Sequence, residues 1–91
     1  MNDLWSPGKG NSLVIEVWQK GRLAFADPSG QRFRLDDYGN TIQFDAYGDR
    51  NHLYGWEIDH IVPTVMGGGD ELSNLRPLWW AANTGRNAFL K

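Results

Sequence analysis

The 91-residue chain is predicted to be an α+β domain: a short antiparallel β meander followed by one C-terminal helix. Two observations predict it. Up to about residue 53, apolar residues alternate with polar ones in short runs, separated by Pro/Gly/Asn/Asp clusters at roughly 8–12-residue spacing, the pattern of antiparallel β structure. In the last third, "LWWAANTGRNAFLK" (Leu78–Lys91) drops that alternation for helical spacing.

Residues 1–11 contain Pro7, Gly8 and Gly10 with little apolar content, and are expected to form a flexible arm. Residues 12–91 form the single domain, with the meander over 12–53. "SLVIEVW" (Ser12–Trp18) is rich in β-branched and aromatic residues, with Leu13, Ile15 and Val17 on one side, and reads as a strand. "RLAFA" alternates Leu23 and Phe25 with small or polar neighbours. "DPSG" places proline and glycine where a tight turn needs them. "QRFRL" directs Phe33 and Leu35 inward and Arg32 and Arg34 outward; after the "DDYGN" turn, "TIQFDAY" puts Ile42, Phe44 and Ala46 on one face. In the terminal helix, Trp79, Asn83, Arg86, Asn87 and Leu90 share a face. Gly85 weakens that helix by about 1 kcal/mol relative to alanine.

Composition narrows the function classes. A hydrophobic content of 41% with five tryptophans argues for a packed globule over disorder. With no cysteine, disulfides and thiolate zinc sites are excluded. His52 and His60 are the only histidines, so a metal site must draw mainly on oxygen. No apolar run approaches the roughly 20 residues of a membrane span. "MNDLWSPGKG" lacks the basic-then-apolar layout of an export leader, so a cytoplasmic location is expected. The net charge of −2 counts against binding nucleic acid through bulk positive charge. It leaves room for local attraction of phosphates, because bound metal and clustered arginines act locally.

"WEIDHIVP" (Trp56–Pro63) sets Asp59 and His60 inside a run that otherwise belongs in a core. Burying an unpaired charge costs several kcal/mol, roughly, so this pair needs compensation. Asn74 follows His60 by 14 residues and Asn83 follows Asn74 by 9. The ordered set of Asp-His-Ile-x-Pro, a glycine loop, Asn-Leu and a helical Asn, over Tyr54–Asn87, resembles the HNH endonuclease family, with Asn83 at the third motif position.

The resemblance implies a ββα-metal fold over 54–91, a β-hairpin and helix with a divalent ion between them. It implies that His60 is the general base, that Asp59 and Asn83 are oxygen ligands to the metal, and that Asn74 holds the hairpin loop so that His60 meets the scissile phosphate. The chemistry is consistent. Histidine, with an unperturbed pKa of about 6.5, suits proton abstraction from water near neutral pH. Carboxylate and amide oxygens select Mg²⁺ or Mn²⁺ over zinc. Adjacent strand residues point to opposite faces, so Asp59 and His60 can share one site only if the strand ends, twists or bulges between them.

Many members of that family carry a structural zinc on two Cys-x-x-Cys pairs. The matching positions here are Trp79 and Ala82 and, more loosely, Ala26 and Ser29, so no structural zinc is expected and tryptophan packing takes its place. Arg76, Arg86 and Asn87 are the expected nucleic-acid contacts, through bidentate phosphate bonds in the case of Arg86.

Structural roles compete with these. Asp59 is a possible ion-pair partner of Arg76 or Arg86, His60 a core histidine, Asn83 a helix-surface residue and Asn74 a turn residue. Glu57 is expected at the surface, away from His60. At the level of function, the first reading is a metal-dependent endonuclease acting on duplex DNA with little sequence preference, targeted by a protein partner or a homodimer mate. The second is a non-catalytic binding protein on the same scaffold, which occludes a nucleic-acid-processing complex.

Overall fold

A computed structural model describes residues 9–88 of the chain, with side chains described for 12–84. Two layers of local order build it. Strands β1 (Arg22–Leu23), β2 (Phe33–Leu35) and β3 (Thr41–Gln43) form an antiparallel meander in the order β1-β2-β3. Strands β4 (Trp56–His60) and β5 (Leu75–Trp79) form a separate antiparallel pair, and β5 runs directly into α2 (Trp80–Ala88). The fold is therefore α+β, with antiparallel strands and a closing ββα unit.

The first element departs from the sequence reading. Ser12–Trp18 belongs to a helix, α1 (Lys9–Trp18), and not to a strand. Val14, Val17 and Trp18 are buried while Ile15 is exposed, which is a helical stripe and not a period-two face. Burial against the hairpin has overridden the β preference of these residues. Of the arm expected over 1–11, residues 9–11 are the first turn of α1, and residues 1–8 lie outside the described residues. Leu23 and Phe25, read as alternating with small or polar neighbours, are both exposed, and the strand there, Arg22–Leu23, is only two residues long. At the other end, Leu78 and Trp79 belong to β5, so the helix starts at Trp80. Leu90 lies outside the described residues.

The core sits between α1, β3 and the hairpin. Val14, Val17, Trp18, Ile42, Trp56 and Leu75 are its buried members. Trp56 packs against Trp18 at 5.3 Å and Tyr47 at 4.8 Å between ring centroids, contacts worth roughly 0.5–1.5 kcal/mol each beyond area burial. Each indole N–H of Trp18, Trp56, Trp79 and Trp80 donates to a backbone carbonyl: Gly30, Phe44, Leu53 and His52 respectively. Lys20 Nζ, just past α1, donates to the carbonyls of Leu72 and Leu75 and ties the helix to the end of the hairpin loop.

The two turns expected from sequence are built by aspartates. Asp27 accepts from Ser29 Oγ at 2.6 Å and from the N–H groups of Arg32 and Phe33, both at 2.9 Å. Asp36, 1% exposed, accepts from the N–H groups of Tyr38 and Asn40 and from the Asn40 amide. It also accepts from the N–H of Trp79 at 3.0 Å. That last bond joins the meander to the strand–helix junction.

Candidate active site on the hairpin and helix

Pairing in the β4–β5 hairpin is unbroken from Trp56↔Trp79 to His60↔Leu75. The alternation of a strand then sorts its side chains. Trp56, Ile58 and His60 take the face toward α1, and Glu57 and Asp59 take the face toward α2. Pro77 is tolerated in β5 because a two-stranded sheet needs no N–H on its outer side.

On the α2 face, Asp59 is 3% exposed and Asn83 7%; with Asp36 they are the buried polar side chains among the described residues. Arg76, directly across the strand from Asp59, donates from Nε to Asp59 Oδ2 at 2.9 Å. Its other nitrogens donate to Asp37 Oδ2 at 3.0 Å and to the Tyr38 hydroxyl at 3.2 Å. These partners hold the guanidinium protonated well above its ordinary range; burial opposes this, but the bonds from Asp59, Tyr38 and Asp37 outweigh it. Arg76 is thus turned inward, 12% exposed, onto the partner that the structural alternative assigned to Asp59.

Glu57 lies two residues before Asp59 on the same face. Arg50 grips it through Nε at 2.6 Å and Nη2 at 2.9 Å, and Asn83 Nδ2 donates to its Oε1 at 2.8 Å. Burial works against the charged form of Glu57, yet the Arg50 and Asn83 bonds win and lower its pKa. The residue read as surface is therefore the link between hairpin and helix. Its signal in the sequence is its place two residues before Asp59, which in a strand means the same side.

His60 stands on the opposite face. Its ring lines a pocket of about 320 Å³ with Leu13, Tyr47, Ile58, Asp70 and Leu75, and its Nε2 lies 2.7 Å from Asp70 Oδ1. The strand ends after His60 and not between Asp59 and His60, and no bulge brings the two side chains to one side. Asp70, passed over in the sequence, directly follows the glycine run that curls the loop back over the hairpin end.

Asn74 braces that loop. Its Oδ1 accepts from the Val62 N–H at 2.8 Å, and its Nδ2 donates to the carbonyls of Val62 at 3.1 Å and Gly69 at 2.8 Å. The crossing is tight enough to require glycine: a Cβ on Gly68 would collide with the Val62 carbonyl and stand 2.9 Å from Asn74 Nδ2. Arg86 and Asn87 fall in the last turns of α2, and their side chains lie outside the described residues.

A hairpin whose second strand passes straight into a helix, with acidic and amide side chains meeting between them, is the ββα architecture. Residues 47–88 match the family model of the HNH endonucleases. No curated protein and no solved structure matches the chain significantly. The family match points to a nuclease-type, nucleic-acid-directed function in general terms. Among the described residues no helix is long and apolar enough to cross a membrane.

Proposed function

We propose that the chain is a divalent-metal-dependent endonuclease that hydrolyses DNA phosphodiester bonds with little sequence preference of its own. One observation carries this reading: the two buried polar side chains of the HNH segment, Asp59 and Asn83, both belong to the face between hairpin and helix. Duplex DNA is the proposed substrate and the cytoplasm the proposed compartment.

The donor chemistry on that face fits a hard cation. Glu57 and Asp59 are carboxylates about 7 Å apart along one side of the strand, and Asn83 approaches from the helix with an amide bonded to Glu57. Among the described residues no three His, Cys, Asp or Glu side chains converge on one point. Protein oxygens would therefore make up part of the shell, with water and phosphate completing it, as is usual for Mg²⁺. Asp59 and Asn83 would hold the ion. When bound, it supplies positive charge at the phosphoryl oxygens.

The chain's own residues supply the base from the other face of β4, where His60 is the last residue of the strand. Asp70, as a carboxylate, can only accept, so it directs the proton of His60 to Nε2 and leaves the lone pair on Nδ1 to take a proton from water. Asn74 fixes the loop that carries Asp70. Arg86 and Asn87 are proposed to contact phosphates from the end of α2.

Purified protein with Mg²⁺ or Mn²⁺ is expected to nick or linearise plasmid DNA. His60→Ala should abolish cleavage with an unchanged circular-dichroism spectrum.

A second reading, a non-catalytic binding protein on the same scaffold, has its own support. Arg76 and Arg50 already neutralise Asp59 and Glu57, and His60 faces away from both. Protein that is inert with every divalent ion yet binds a partner of a nucleic-acid-processing complex would establish it over the first.

A further inference from the structure

We propose that Arg76 is a resident counter-cation at Asp59, which keeps the ion-free protein folded and sets how tightly the site takes a divalent ion. The inference rests on the reading of Asp59 as a metal ligand.

The geometry leaves Arg76 little freedom. All three guanidinium nitrogens are engaged, one on β4 and two on the turn between β2 and β3, and the group stacks 5.2 Å from the centroid of the Tyr38 ring. A planar fork anchored from two sides is pre-organised, so it loses little entropy on gripping Asp59. Asp59 itself is almost fully buried, where a carboxylate without a nearby positive charge is strongly destabilising. Arg76 supplies that charge within the hairpin.

A divalent ion approaching Asp59 then meets a fixed positive charge on one carboxylate oxygen. It must either share the carboxylate with the guanidinium or push it aside, and both weaken its binding. Removing the guanidinium should act in opposite directions on the two forms of the protein. The ion-free form loses stability, and the ion binds more tightly.

The test uses the full chain, titrated calorimetrically with Mn²⁺ and melted with and without the ion. Arg76→Met keeps an unbranched apolar stem and removes the charge. Its dissociation constant for Mn²⁺ should fall roughly tenfold or more, because the competing charge stands at contact distance. Its ion-free melting temperature should drop by about 5 °C or more, and Mn²⁺ should raise it further than in wild type. Arg76→Lys keeps the charge and the fold but cannot span three partners, so its Mn²⁺ affinity should fall between those of wild type and Arg76→Met. If Arg76→Met does not fold, the lysine variant decides. Unchanged or weaker Mn²⁺ binding in the folded variants overturns the proposal. Asp59→Asn separates the two layers. If it binds Mn²⁺ as wild type does, the ligand reading itself fails; if it loses binding while both Arg76 variants match wild type, only the counter-cation role falls.

Discussion

Asn83 donates its side-chain N–H to Glu57 Oε1 at 2.8 Å, the bond that joins α2 to the first strand of the hairpin. Asn83 is buried, and its loss removes one hydrogen bond from the half-buried Glu57, which keeps both of its bonds to Arg50. Asn83→Ala is expected to destabilise the protein by about 1.5–3 kcal/mol, the range for losing a hydrogen bond to a charged group. Urea unfolding monitored by tryptophan fluorescence measures it, and a change under about 0.5 kcal/mol would remove Asn83 from the framework.

The Asn74 brace predicts a local failure. Asn74→Ala removes three hydrogen bonds that close the 61–74 loop, and Gly68→Ala places a methyl group against the Val62 carbonyl. Both should speed amide exchange at Val62 and nearby loop positions while leaving Val14 and Val17 in α1 protected. Uniform exchange across the domain would mean that the loop is not a separate unit.

Asp36 predicts a global one. Its carboxylate takes the N–H of Trp79 together with those of Tyr38 and Asn40, in a buried position. Asp36→Ala leaves several donors without acceptors and should cost about 2–4 kcal/mol, each stranded donor being worth roughly 1–3 before relaxation. Asp36→Asn should lie between wild type and alanine, since one carbonyl oxygen remains.

Acid should act through Asp27 and Glu57. The Ser29 hydroxyl, followed by the Phe33 and Arg32 N–H groups, brings the Asp27 pKa from 3.8 down to about 2. A carboxylate lowered on folding stabilises the native state above its unfolded pKa, and that contribution disappears as the pH falls through the folded one. Stability should therefore decline from about pH 4 towards pH 2, and Asp27→Asn should flatten the decline. Glu57, also lowered, adds to the same acid limb. An Asp27→Asn protein with the wild-type pH profile would contradict the turn's role.

Much of this architecture is legible in the residues themselves. The turns at "DPSG" and "DDYGN", the meander between them and the helix after "NLRPL" all follow from short-range chemistry. Ser12–Trp18 does not, because "LVIEVW" satisfies a strand pattern and a helical stripe equally well, and only its fit against Trp56 and Leu75 decides. The aspects of the site that the sequence hides are matters of direction. Asp59 and His60 are neighbours in the chain, yet an uninterrupted strand sends them apart. Asp70 meets His60 through a loop whose path depends on Asn74 and Gly68. Glu57 looks like a surface charge until Arg50 and Asn83 are seen on it.

The four indole bonds and the aspartate turns have a practical consequence. Links of that kind contain no thiolate, and the chain has no cysteine, so oxidation cannot cross-link them as disulfides. EDTA should silence any ion-dependent chemistry while the tryptophan emission and the melting curve remain those of the folded protein.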